Sequence, residues 1–269
     1  MEEKKEYYPN IFGAIFLLVI FNMLTILFSS IFNTGPFISS ITFLLGQLSQ
    51  LMALCIIVLW IKFRNKLSFE NLFSFKLVPI IAVIPFLFSI LGLNIILSEL
   101  DNITRAIVPM SDFWLEIIEA MQNTENSFWS SIISTAILAP IVEEILFRGL
   151  ILRGFLKHYS VTKAIVLSSL LVAIMYMNPW QFLIVFTLGL FMGWCFIKTK
   201  SITFCILVHM LFNSLGFIVK DVLKLKISGY STGLDVVEFQ PLWFNLMGVF
   251  LFIVGIILLK VIFRVIGKE

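Results

Sequence analysis

Eight runs of apolar residues fill most of this 269-residue chain, and they decide what it can fold into. They cover residues 11–32, 38–61, 77–97, 128–152, 162–177, 181–197, 202–219 and 242–266. A helix needs about 20 apolar residues to cross the hydrocarbon core of a bilayer. In lipid every backbone N–H and C=O must find its partner inside the protein, and a helix does so within its own run. The expected fold is therefore all-α, a single membrane domain over residues 1–269 with eight transmembrane helices. The fifth and sixth runs are short, but only Asn178-Pro179-Trp180 separates them, and Asn-Pro marks a turn. They read as a tight hairpin. Composition agrees: 60% of residues are hydrophobic and 13% charged, against about 25% charged in a soluble domain. That excludes a soluble globule and a disordered chain alike. The first run is too long for a signal-peptide core and is expected to remain as the first span.

Orientation follows from Lys and Arg, which favour the cytosolic side of a membrane. With the N-terminus inside and eight spans, fifteen fall on the inner side: Lys4, Lys5, Lys62, Arg64, Lys66, Lys76, Arg148, Arg153, Lys157, Lys163, Lys198, Lys200, Lys260, Arg264 and Lys268. Only Arg105, Lys220, Lys224 and Lys226 fall outside. Both termini are expected in the cytoplasm, and seven spans would spoil the asymmetry. The stretch 101–127 is read as non-spanning. Within it Phe113, Trp114, Ile117, Ile118 and Met121 recur at helical spacing, with Asp112, Glu116 and Glu119 on the other face. This predicts a short amphipathic helix on the outer surface, most simply a packing lid. The net charge of +3 gives no reason to expect nucleic acid. Cys55, Cys195 and Cys205 all lie in apolar runs, so neither a disulfide framework nor a zinc knuckle is expected.

Most charges sit at span ends, but the fourth run reads Ala139-Pro-Ile-Val-Glu143-Glu144-Ile-Leu-Phe-Arg148-Gly149. An acidic residue at mid-membrane costs about 2.5–3.5 kcal/mol even on lenient scales, and such residues usually face a bundle interior and mark function. Glu144 and Arg148 are four apart and can pair on one face. Glu143 is rotated about 100° away and has no sequence-local cation, which suits a general base or acid. Pro140 cannot donate to the carbonyl of Ala136, so a kink is expected just before the carboxylates. The seventh run adds His209 and Asn213, four apart on one face. His158, the only other histidine, falls in a basic loop and reads as solvated.

Glu-Glu-x-x-x-Arg on one span and His-x-x-x-Asn on a later one resemble motifs of the CPBP family, the CAAX-type prenyl proteases and bacteriocin-processing intramembrane proteases. The resemblance covers about residues 128–219, a four-span core, with the Asn178-Pro179-Trp180-Gln181 hairpin and Gly189-x-x-x-Gly193, a spacing that lets helices approach closely. It implies eight transmembrane helices around a chamber open to the cytosol and to lipid, and glutamate-dependent peptide hydrolysis. Carried over, Glu143 would activate water and Glu144 with Arg148 would hold the helix in place. His209 and Asn213 would polarise the scissile carbonyl and stabilise the oxyanion. The implied substrate is a hydrophobic or lipid-modified peptide, or a membrane protein, reached from the bilayer. A further family motif, Phe-x-x-x-His on the fifth span, reads Val172-Ala-Ile-Met-Tyr176 here. Tyrosine is no base at neutral pH, yet it can hydrogen-bond the water or the oxyanion. The loss of a typical acid–base group would lower activity about 10²–10⁴-fold.

Zinc in a catalytic site takes three protein ligands and a water. Glu143 and His209 are good ligands, whereas Asn213 and Tyr176 are poor ones, so neither a metal nor another cofactor is expected. Two readings stay open. One is an intramembrane endopeptidase; the other is a degenerate member acting as a membrane scaffold, a regulator or a bacteriocin-immunity protein. A transporter would need polar residues strung along several helices, whereas these cluster in two. Cys205, His209 and Asn213 fall at successive i, i+4 positions, but Cys205 reads as ordinary packing. The use of Lys, Ile and Phe over Arg and Ala suggests a bacterium, which would place the chain in the plasma membrane.

Overall fold

In the computed structural model the described residues are 9–32, 42–65, 78–111, 114, 127–233 and 236–266. They form eight helical rods and no strand. These are α1 (Ile11–Phe32), α2 (Thr42–Asn65), α3 (Ile80–Ile107, opening with a 3₁₀ turn), α4 (127–158), α5 (Val161–Met175), α6 (Pro179–Thr199), α7 (Ile202–Val222) and α8 (Leu242–Ile266). Among the described residues, α1, α3, α6, α7 and all but the last residue of α8, with Leu44–Phe63 of α2, are long and apolar enough to cross a membrane. The α5 rod is apolar but shorter, and α4 carries the buried Glu143, Glu144 and Arg148. The chain is an integral membrane protein.

Contacts sort the helix ends into two levels. At one level Ile11 N–H donates to Tyr159 Oη at 3.2 Å, joining the start of α1 to the α4–α5 turn. There the Arg153 guanidinium lies 5.5 Å from the Phe196 ring centroid, and Phe86 of α3 packs on Phe204 of α7 and Phe263 of α8. At the other level Trp180 Nε1 donates to Val108 O at 2.6 Å, joining the α5–α6 turn to the end of α3. Tyr230 packs edge-on against Phe244 near the start of α8. The hairpin between α5 and α6 forms as the sequence suggests. Met177 takes a positive φ of 47°, and the Asn178 side chain accepts from Trp180 and Gln181 N–H at 3.1 and 3.3 Å.

α3 and α8 pack almost backbone to backbone. A Cβ built on Gly92 would lie 2.4 Å from Phe252 N and 2.5 Å from Gly248 O, and one on Gly255 would lie 2.6 Å from Ser89 N. Small residues permit this approach where lipid supplies no hydrophobic drive between helices. Gly92→Ala is expected to cost about 1–3 kcal/mol, the usual range for overpacking. A lowered thermal midpoint in detergent, restored by no change on the far side of α8, checks this. Gly189 and Gly193 of α6 play the same part against α5: added Cβ atoms would meet Ser169 Cβ and Ile165 Cγ2, each at 2.9 Å.

α4 is the central post. Leu146 through Leu152 are all buried, as expected for a helix apolar all round. It is not a uniform α-helix. Ile133–Leu138 and Ile145–Leu152 are π-helical, and Ala139–Glu144 between them is α-helical. Residues joining these pieces keep right-handed helical angles, so the rod is continuous. In place of a simple kink at Pro140, the widened turn ends beside it, with Ala139 N–H donating to Ser134 O. Such π segments are frequent at functional sites.

Two sequence boundaries need correction. α4 runs to His158, beyond the expected end at Leu152. α3 runs to Ile107, so residues 101–107 are helical rather than linker. Their polar groups are satisfied: Arg105 Nε donates to Asp101 Oδ2 at 2.9 Å and Asn102 Nδ2 to Gly229 O at 2.7 Å. The expected outer amphipathic helix lies outside the described residues except for Trp114, which packs edge-on against Trp180 at 5.9 Å.

Candidate active site

The two glutamates sit on the short α-helical turn between the π segments and look to different sides. Glu143 is 8% exposed and Glu144 fully buried. Glu144 Oε1 accepts from Arg148 Nη1 at 3.0 Å and lies 2.8 Å from His209 Nδ1. Its other oxygen, Oε2, is buried without a hydrogen bond from the described residues. The i, i+4 pair expected from sequence therefore forms, and it does more than brace α4: it fixes the His209 ring on α7. Arg148 also reaches α6, where Nη2 donates to Gly189 O at 3.2 Å. One guanidinium and one carboxylate thus join three helices.

Glu143 is not without a partner, as its sequence surroundings suggest. Tyr176 Oη donates to Glu143 Oε1 at 2.7 Å. Tyr176 is the residue just past the end of α5, so the hairpin sets its height.

His209 and Asn213 both turn toward α4. Asn213 Nδ2 donates to Thr135 O at 2.8 Å, in the first π segment. Neighbouring Phe212 offers its carbonyl to Asn94 Nδ2 at 3.3 Å, and Asn94 Oδ1 accepts from Tyr230 Oη at 2.5 Å. Burial pushes the Tyr230 phenol up to about 12, so it remains a donor at physiological pH. This relay from the α7–α8 connection to α7 has no sequence signal, because its members lie far apart in the chain.

All six residues singled out from sequence converge, four of them from α4 and α7 with Tyr176 against the wall of a cavity of about 430 Å³. Glu143, Arg148, Tyr176, His209 and Asn213 line it; Glu144 stands behind, holding His209. Sequence reading missed Asp101, Gln181 and Thr135, which also line it. Cys205 is fully buried, 3.9 Å from Met192 O, and is not on the cavity wall. His158 is exposed, as expected for a solvated residue.

A catalytic zinc would need three protein ligands at this cavity. No group of three His, Cys, Asp or Glu side chains among the described residues could hold a metal ion. Both good ligands are engaged, Glu143 with Tyr176 and His209 with Glu144. The residues do not fit a three-ligand zinc site.

Comparison with known proteins agrees with the motifs. Residues 125–215 match the family model described as type II CAAX prenyl endopeptidase Rce1-like. Neither the curated proteins nor the solved structures gave a match. The matched segment, about a third of the chain, opens just before α4 and closes just after Asn213. It thus holds the whole Glu143–Arg148–Tyr176–His209 cluster, and over this core the chain is similar to the type II CAAX prenyl endopeptidases.

Proposed function

We propose that the chain is an intramembrane endopeptidase whose Glu143 activates water. The observation that carries the reading is a buried carboxylate on a cavity wall, facing His209 and Asn213 and held by one hydrogen bond from Tyr176. Glu143 takes a proton from water, and the hydroxide adds to the scissile carbonyl. Negative charge then collects on the carbonyl oxygen. Glu143 returns the proton to the departing amine as the C–N bond breaks. His209 donates to the oxyanion from Nε2 while Nδ1 stays on Glu144. Asn213 adds a second donor once its amide turns from Thr135 O. All eight rods span the bilayer in this reading, with both termini cytoplasmic, and the host membrane is a bacterial plasma membrane.

Tyr176 supplies a hydrogen bond that steadies the Glu143 carboxylate. A hydrogen bond to a charged group is worth about 1.5–3 kcal/mol, so Tyr176→Phe is expected to slow cleavage about 10–100-fold with little loss of protein. Unchanged cleavage in that variant would reduce Tyr176 to packing. The same contact favours a second reading, a binding or bacteriocin-immunity protein in which the phenol blocks water from Glu143. Membrane peptides from cells expressing the native chain or Glu143→Ala, at equal accumulation, separate the two by mass spectrometry. Products present only with the native chain support the peptidase; identical profiles favour the binding protein.

A further inference from the structure

We infer that the cavity opens to the extracytoplasmic side of the membrane, opposite to the cytosolic opening that the family resemblance implies. Two independent observations meet here. The first is which helix ends the cavity reaches. Away from Glu143 its wall runs to Asp101 and Met110 at the end of α3 and to Asn178 and Gln181 at the α5–α6 turn. These belong to one level, joined by the Trp180–Val108 hydrogen bond. No described residue of the α4–α5 turn, the α6–α7 turn or the start of α3 lines it.

The second observation is the charge at each level. The level away from the cavity carries Lys62, Arg153, Lys157, Lys163, Lys198, Lys200, Lys260 and Arg264, with no Asp or Glu among the described residues. Among the described residues the cavity level carries only Arg105, Lys220, Lys224 and Lys226 as Lys or Arg, beside Glu99, Asp101, Asp221 and Glu238. Of those four cations Arg105 is 5% exposed and paired with Asp101. The α3–α4 connection adds Asp112, Glu116, Glu119 and Glu125 and neither Lys nor Arg. Lys and Arg bias, rather than net charge, sets orientation, and it puts the cavity level outside.

The substrate consequence rests on the peptidase reading. A scissile bond reaches Glu143 from the outer half of the bilayer, so the substrate class is an exported peptide or the extracytoplasmic half of a membrane protein. A lipidated chain end confined to the cytosol is excluded.

The test needs no activity, so its failure is distinct from failure of the peptidase reading. Gln181 and Lys198 stand at opposite ends of α6, about 26 Å apart along its axis, and both are exposed. Cys55 is replaced by Ser because it is exposed; Cys195 and Cys205 are fully buried. Gln181→Cys and Lys198→Cys are each treated with a membrane-impermeant maleimide in intact spheroplasts and in inside-out vesicles. The inference expects Gln181→Cys to label in spheroplasts and Lys198→Cys only in inside-out vesicles, each by at least tenfold. The reverse pattern, or Gln181→Cys labelling from neither side, overturns it. If Gln181→Cys does not accumulate, Lys226→Cys, exposed in the α7–α8 connection, replaces it with the same expected side and the same overturning result.

Discussion

Glu143→Gln is expected to lower cleavage by about 10²–10⁴-fold or more, the range that general acid–base groups contribute, while the protein accumulates normally. Glutamine keeps the length of the side chain and an oxygen that can accept from Tyr176 Oη, so the 2.7 Å contact can persist. It cannot take a proton from water. The burial of a neutral amide at a site 8% exposed is also less costly than that of a carboxylate, so stability should hold or rise. Glu143→Asp should behave differently. It keeps a base but withdraws it by one methylene, and a misplacement near 1 Å can cost about 10²-fold. The turnover of one identified peptide bond by the three proteins, with their thermal midpoints, checks both statements. Equal turnover by Glu143→Gln would remove Glu143 from the chemistry.

Arg148→Met is expected to be the most destabilising single change in the core. Arg148 is 3% exposed and its partner Glu144 fully buried. Removal of one member of a buried pair leaves the other charge uncompensated, at a cost of about 3–5 kcal/mol. Typical domains are stable by only about 5–15 kcal/mol, so the variant should accumulate poorly and lose the Gly189 contact between α4 and α6. The double variant Arg148→Met with Glu144→Gln should recover much of that loss. The neutral amide at 144 still accepts from His209 Nδ1, and no buried charge is left alone. Thermal unfolding in detergent reads the comparison. A double variant no more stable than the single would show that Arg148 acts through packing instead.

How much of this was legible in the sequence depends on where each interaction is made. α1 and α8 fall at the sequence bounds, because long apolar runs there end in polar residues. The Glu144–Arg148 pair was legible because i, i+4 spacing is local. α3 ran past its expected end because Asp101, Asn102 and Arg105 look like linker residues, yet they satisfy one another and Gly229 O inside the fold. The π segments of α4 have no residue signature, since any sequence can shift from i−4 to i−5 partners when the surrounding packing holds it. The contacts of Glu143 with Tyr176 and of Glu144 with His209 join residues 33 and 65 positions apart. Helical periodicity places a residue on a face but does not say which helix that face meets. The second motif could have signalled the Tyr176 contact: a polar side chain at that height has one carboxylate within reach.

The account's central claim is that Glu143 activates water to cut a peptide bond without a metal. Its most direct test uses the purified chain in lipid vesicles, incubated with membrane peptides in ¹⁸O-labelled water and excess chelator and read by mass spectrometry. The account predicts new peptide carboxyl ends carrying ¹⁸O, formed with chelator present and absent with Glu143→Gln. The same labelled ends from Glu143→Gln, or their loss with chelator alone, would contradict it.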